Sequence, residues 1–444
     1  MFFFLGLWAS KFYYRFFEKN KDADRMGIVA LKFDDKFLYH IAKPKLVIAV
    51  TGTNGKTTTC NLLAELFEKE GYKVAFNIDG CNMRPGLSKA LILKTSIFNK
   101  PKTDVAILEF DELSTKELLE ATKPDIVVCT NLFMDTMGRN GHTDYVFNKV
   151  NEGLPKDSKL ILNGDDLISS QLGKGNNTNR IFFSIPQQEN EVSKAISNSC
   201  DIKVCPNCLS KLEFDFIRYH HIGKAHCPNC SFKNEKADYV LERYDDKNMV
   251  VNGESYPLIN DSLFNIYNQL AAITVAKECG LKNIADSFSK MQIVKSRFYS
   301  EKIGDVDVVF QMTKGQNPVS LSRAMDYVSN LKGKKNIIII IDDLFDIRSQ
   351  ERSEVISYIY NTDYECLNKD DISRIIIGGV RYADYKVRLL MAGVAEEKIF
   401  TTDDEKKTTD FLEEDVQTIG VVHDIYQYRN ADVILEKIKE RFGK

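Results

Sequence analysis

The stretch from Lys45 to Gly71 constrains the fold of this chain more than any other, because KLVIAV, TGTNGKT and TTCNLLAELFEKEG follow one another without a break. A short apolar run, a glycine turn and a helix-like stretch form the opening unit of an α/β nucleotide-binding domain. The N–H groups of such a loop, with the N-terminus of the helix behind it, make a nest for phosphate oxygens. Gly52, Thr53, Asn54, Gly55 and Thr58 are its expected ATP-binding residues. Lys56 supplies a cation for the β- and γ-phosphates, and the Thr57 hydroxyl is a candidate Mg²⁺ ligand. The loop departs from the general GxxxxGK[ST] spacing at one place, where Val50 replaces the first glycine.

Further apolar runs at Val74–Ile78, Asp104–Phe110, Asp125–Thr130 and Lys159–Asn163 read as buried strands, with helical stretches such as Ser114–Ala121 between them. That alternation predicts a mostly parallel, doubly wound sheet. LEFDE ends one of these strands, at Leu108–Glu112. A carboxylate there lies beside the phosphate loop, and Glu109 is the expected Mg²⁺ ligand, whereas Asp111 and Glu112 better fit solvated carboxylates at a helix start.

A chain of 444 residues exceeds a single core. A second set of runs (Val306–Gln311, Asn336–Ile341, Arg374–Gly378, Lys398–Thr401 and Thr418–Val422) predicts a smaller, Rossmann-like C-terminal α/β domain. The expected division is an aromatic helical segment over 1–43, a central ATP-binding domain over 44–297 and the C-terminal domain over 298–444, hinged near Val294–Ser300.

Around 200–236 the α/β rhythm breaks. Cys205-Pro-Asn-Cys208 and Cys227-Pro-Asn-Cys230 are two CxxC knuckles, a spacing that offers four thiolates to tetrahedral Zn²⁺. Four cysteines leave no open coordination position, so the zinc is expected to be structural. The other six of the ten cysteines are scattered, as in a reducing compartment, which points to the cytoplasm. Lys211, Arg218, His220, His221 and Lys224 lie between the knuckles and keep a nucleic-acid-binding ribbon open as an alternative. A net charge of −3 argues against it, and nucleic acid is not an expected partner.

Met1–Phe17 (MFFFLGLWASKFYYRFF) is too short and, with Lys11 and Arg15, too charged to span a membrane. Two readings stand: a helix packed on the body of the protein or on a partner, or a helix lying in the headgroup layer of a membrane.

TGTNGKTTT, IDGCNMRPG at Ile78, LEFDE, TNLFMDTMGRNG at Thr130, LNGDD at Leu162, the CPNC pairs and FNIYNQLAA at Phe264 together resemble the Mur ligase family. The ribbon and a C-terminal domain of this size resemble its amidating, MurT-like branch. The resemblance implies that ATP phosphorylates a carboxylate of lipid II, the D-glutamate α-carboxylate, and that ammonia from a GatD-like glutaminase partner attacks the acyl phosphate. It assigns Lys56, Thr57 and Glu109 to phosphate and Mg²⁺, and Asn265, Asn268 and Arg297 to the nucleotide. Asn82 and Asp135 go to the substrate side, although the histidine that other members carry next to Asp135 is absent. Helix capping is the structural alternative for the two asparagines.

The segment from Ile341 departs from the branch. Ser349 stands where an aspartate would complete the partner's Cys–His pair, leaving Asp346 or Glu354 as candidates. The alternative activity is a stand-alone ligase joining an amino acid to a cell-wall precursor. Neither the lysine expected after LEFDE for carbamylation nor an amino-acid pocket is identifiable.

Overall fold

The computed structural model describes residues 2–17, 24–77, 81–135, 140–176, 179–188, 191, 200–260, 262–291, 298–313, 315–341 and 356–443. It divides into two compact units, Met1–Phe133 with Thr143–Lys194 and Ile202–Ile293, and Met134–His142 with Ala195–Asp201 and Val294–Lys444.

The strands of the first unit are β1 (Leu46–Thr51), β2 (Val74–Phe76), β3 (Val105–Glu109), β4 (Ile126–Cys129), β5 (Lys159–Asn163), β6 (Arg180–Ser184), β7 (Glu213–Tyr219), β8 (Ile222–His226), β9 (Tyr239–Tyr244), β10 (Asn248–Val251) and β11 (Glu254–Pro257). Nine of them form one sheet in the order β2-β3-β1-β4-β5-β6-β9-β10-β11. Pairing is parallel from β2 to β9 and antiparallel at the β9–β10 and β10–β11 contacts. All of β3 and β4, and β1 from Val47 onward, are buried, which is why these strands read as unbroken apolar runs and pair in parallel. After β1 the chain first builds β2 and β3 on one side, then β4 and its successors on the other. Ligands bind at such a reversal of strand order, off the carboxyl ends of the strands.

The meander β9–β11 is absent from the sequence-based reading. The signal was present: Asn252 and Gly253, at φ 48° and 79°, form the tight turn between β10 and β11. A helix follows at Leu263–Glu278, with Ser262 as its N-cap.

At the N-terminus, helix Phe2–Phe17 packs through Phe3, Gly6 and Leu7. A Cβ on Gly6 would lie 3.0 Å from the Ala30 carbonyl oxygen, so glycine allows close approach to helix Arg25–Phe33. No described helix is long and apolar enough to cross a membrane.

In the second unit, β12 (Phe298–Ile303), β13 (Val306–Thr313), β14 (Lys335–Ile340), β15 (Ile372–Gly378), β16 (Ile399–Thr402) and β17 (Thr418–Asp424) are ordered β12-β13-β17-β14-β15-β16. Among the described strands of this sheet, only β12 runs antiparallel to its neighbour. The central strand β14 is buried throughout, and helices such as Pro318–Ser329 and Tyr382–Met391 bury apolar side chains against the sheet.

Candidate nucleotide and metal sites

The phosphate loop joins β1 to helix Lys56–Lys69, with Gly55 as its N-cap. Its two glycines are obligatory for different reasons. Gly52, at φ 128°, has the Thr130 hydroxyl 2.3 Å from where a Cβ would stand; Gly55, at φ 85°, has Asn268 Oδ1 at 2.1 Å. The segment after β4 holds the loop in shape. The Thr53 amide donates to the Asn131 carbonyl at 2.9 Å, the Asn54 amide to Asn131 Oδ1 at 3.0 Å, and the Thr130 hydroxyl to the Asn54 carbonyl at 2.6 Å.

At the head of the helix the Thr57 hydroxyl donates to Glu109 Oε2 at 2.8 Å, and Asn82 Nδ2 lies 3.4 Å from Glu109 Oε1. The side chain of Asn77 clamps the backbone of Glu109 in both directions, at 2.8 and 2.9 Å. Thr57, Glu109 and Asn82 therefore converge at the carboxyl ends of β1 and β3. A hydroxyl and a carboxylate in contact are hard oxygen ligands of the kind Mg²⁺ takes, beside a loop built for phosphates, so the donor set fits.

Lys56 Nζ lies 2.8 Å from Glu112 Oε1, both side chains nearly buried, and also donates to the Gly52 carbonyl. This corrects the sequence-based reading of Asp111 and Glu112 as solvated, since each is only 2% exposed. Asp111 accepts the Leu113 amide and starts a short 3-10 turn, and that turn brings Glu112 inward to Lys56. Thr58 is half-buried in the first helical turn. Asn268 packs on Gly55, while Asn265 donates to the hydroxyl of Ser262, the N-cap of its helix, at 2.9 Å. Asp135 falls in the second unit, where it accepts Asn317 Nδ2; Asn317 in turn caps helix Pro318–Ser329. Arg297, Asp346, Ser349 and Glu354 lie outside the described residues.

The four cysteines converge. Their sulfurs all lie within 4.8 Å of one another, with Cys205–Cys230 at 3.5 Å and Cys208–Cys227 at 3.4 Å. Zinc–sulfur bonds of about 2.3 Å in a tetrahedron place sulfurs about 3.8 Å apart, so the cluster suits Zn²⁺. Amides of Asn207 and Asn229 donate to Cys205 and Cys227, the same turn at each knuckle. The ribbon's small core includes Leu167, which comes from the main domain.

The far end of the ribbon holds residues that sequence reasoning missed. The β7–β8 hairpin inserts Tyr219, His220 and His221 into the domain, each at most 3% exposed. His221 Nε2 lies 3.0 Å from Asp166 Oδ1, both side chains fully buried. Burial alone would raise the Asp166 pKa, but His221 and the Ile168 and Ser169 donors outweigh it and hold the carboxyl below its usual range. The other Asp166 oxygen accepts the Leu132 amide at 2.8 Å. The next residue, Phe133, packs against His221 with ring centroids 4.6 Å apart and the planes tilted by 43°, and exchanges hydrogen bonds with Thr53 of the phosphate loop. Three residues before His221, in β7, the Arg218 side chain is buried against Asp165, Glu191 and Tyr267. Burial still pushes the Asp165 carboxyl up, in spite of Arg218. Of the five cations between the knuckles, Arg218, His220 and His221 thus turn inward, while Lys211 and Lys224 stay exposed.

A nine-stranded sheet with a phosphate loop at its switch point and a hydroxyl–carboxylate pair beside it defines an ATP-site architecture, and the comparisons place it. The Mur ligase middle domain model matches residues 50–276 and the MurT ligase C-terminal model matches 315–426, and the chain belongs to the Mur ligase family. Within it, the chain is 30% identical to lipid II isoglutaminyl synthase (glutamine-hydrolyzing) subunit MurT of Staphylococcus aureus (strain COL), over 95% of this chain and 94% of that one. It is 29% identical to the MurT subunit of Streptococcus pneumoniae strain R6, over 85% and 83%. Among solved structures, a pseudomurein peptide ligase type C from Methanothermus fervidus shares the fold with a TM-score of 0.67 at 20% identity, covering 90% of this chain and 80% of that one.

Proposed function

We propose that this chain is the ATP-using, amidating subunit of a glutamine-dependent lipid II amidotransferase, working in the cytoplasm with a GatD-like glutaminase. The relatives that match nearly its full length are named as subunits of such a synthase. The observation that carries the reading to this chain is the contact of Thr57 with Glu109 at 2.8 Å, beside Lys56 in the same loop.

A carboxylate resists attack by ammonia until one of its oxygens becomes a phosphate leaving group. The oxygen of the D-glutamate α-carboxylate attacks the γ-phosphorus of ATP, ADP departs, and an acyl phosphate forms. Ammonia then adds to the carbonyl carbon, phosphate leaves with the bonding pair, and the nitrogen loses a proton to give the amide. Thr57 and Glu109 would hold Mg²⁺, which neutralises charge on the transferring phosphoryl group when bound. Lys56, kept at the mouth of the loop by Glu112 and the Gly52 carbonyl, stabilises the same charge. Asn82 orients Glu109 and faces the substrate side; Asn268 closes the loop over Gly55. Arg297 and Asn265 are assigned to the nucleotide, Asp135 to the substrate, and Asp346 to the partner's catalytic pair. The four cysteines hold a structural zinc.

The test is amidation of lipid II, followed by mass spectrometry, with the chain alone and with the glutaminase, ATP, Mg²⁺ and glutamine. The expected result is conversion that requires both subunits and falls by at least about 100-fold in Lys56→Ala. Phosphate release stimulated by a free amino acid, with no amide formed, would instead establish the stand-alone ligase.

A further inference from the structure

Helix Phe2–Phe17 is apolar on two faces, and only one is used. Phe3, Leu7 and Ser10 are buried against the domain, whereas Phe4, Trp8, Phe12 and Phe16, spaced by four, form a stripe along the outside. Phe4 and Trp8 rings meet at 5.8 Å and Phe12 and Phe16 at 4.5 Å, so the stripe is continuous. Trp8 Nε1 donates to the Ile97 carbonyl at 2.9 Å and ties the stripe to the loop after helix Arg84–Leu93. That loop ends in Ile97 and Phe98, and Phe98 is 71% exposed, with Phe12 at 58% and Phe16 at 55%. Large aromatics clustered on a surface mark a binding face rather than ordinary exposure.

The charge around this face decides what it binds. Residues 1–17 and 84–103 contain no aspartate or glutamate, but they contain Lys11, Arg15, Arg84, Lys89, Lys94, Lys100 and Lys102. Arg15 and the three loop lysines are exposed. The acidic residues that follow the second helix are already partnered, Asp34 with His40 at 2.6 Å and Asp35 with Arg84 at 2.8 Å. A second copy of the chain docking isologously would oppose cation to cation. An anionic bilayer surface offers an apolar layer for the rings and phosphates for the lysines.

We propose that the Phe4–Phe16 stripe and the Ile97–Phe98 loop form a platform that docks the first unit on an anionic membrane surface, the helix lying in the plane of the headgroups. The platform is defined by binding rather than turnover, so it stands or falls separately from the activity proposed above.

Trp8 is the only tryptophan in the chain and sits in the stripe, so its emission reports directly. Full-length protein would be titrated with phosphatidylglycerol-rich and with pure phosphatidylcholine vesicles, some carrying brominated acyl chains. The expected result is a blue shift and bromine quenching on the anionic vesicles, weakened by salt. Lys100→Glu with Lys102→Glu should lower affinity by at least about tenfold. Phe12→Ser with Phe98→Ser should abolish binding while the circular dichroism melt is unchanged. No shift of Trp8 emission, or equal binding to both vesicle types, overturns the proposal. So does a wild-type dimer in sedimentation that the serine variant converts to a monomer without vesicle binding, because the face would then be a protein interface.

Discussion

The tip of the ribbon hairpin and the N-terminal helix depart from the usual distribution of polar and apolar residues in opposite directions. At the tip, a tyrosine and two histidines are driven into the domain; along the helix, aromatic rings stand in solvent. The first departure is resolved inside the chain. His221 meets Asp166, Asp166 also takes the Leu132 amide, and Arg218 is enclosed by Asp165, Glu191 and Tyr267. The stripe of the second finds no such cover in the described chain. A polar group buried without a partner costs stability directly, so the first kind of departure must be closed by folding. An exposed ring carries no such penalty and can be left for another surface.

Three experiments sharpen that contrast. The largest effect is expected from removing the zinc that Cys205, Cys208, Cys227 and Cys230 would hold, because structural zinc contributes on the order of 10 kcal/mol to small metal-folded units. Chelation should release the hairpin and accelerate hydrogen exchange at the Leu132 and Phe133 amides. Unchanged exchange there would mean that the tip docks without its metal.

Next comes Asp166→Ala, expected to cost about 3–5 kcal/mol in urea unfolding, since it strands a buried His221. The pH dependence has a definite sign. Because the folded Asp166 pKa lies below its ordinary value, its contribution is complete above about pH 4 and vanishes as pH falls through the folded pKa. Asp165, raised by burial, runs the other way: its contribution is full at low pH and is lost as pH rises through its folded pKa. The difference between wild type and Asp166→Asn isolates the first term, and a difference that did not shrink in acid would contradict this account. The smallest effect is expected on the helix, where Phe12→Ser should change stability by no more than about 0.5 kcal/mol. A larger loss would show that the stripe is already in use within the chain.

The sequence was most legible where structure is local and repetitive. β5 lies where its apolar run ends and begins, at Lys159–Asn163, and the loop between Val50 and Lys56 could be placed from its glycines. The four-cysteine cluster follows from spacing alone. Glu112 was misread because LEFDE was parsed as one metal ligand followed by surface residues; the short turn that swings Glu112 to Lys56 leaves no periodic signature. The Asp166–His221 and Arg218–Tyr267 contacts, 55 and 49 positions apart, have no local pattern to betray them. Only the tertiary fold shows that, of the ribbon cations, Arg218, His220 and His221 face inward while Lys211 and Lys224 face solvent.

The placement of Asp166 also bears on how the chain is made. Synthesis proceeds from the N-terminus, and domains assemble as their segments emerge. The phosphate loop is finished early as a sequence, yet its brace passes through Phe133 to His221, and its lid contact at Gly55 comes from Asn268. Until those residues leave the ribosome, Asp166 remains a solvated carboxylate without its histidine. The nucleotide loop, among the first parts translated, therefore acquires its full set of contacts only after Asn268 has been made, when more than half the chain exists.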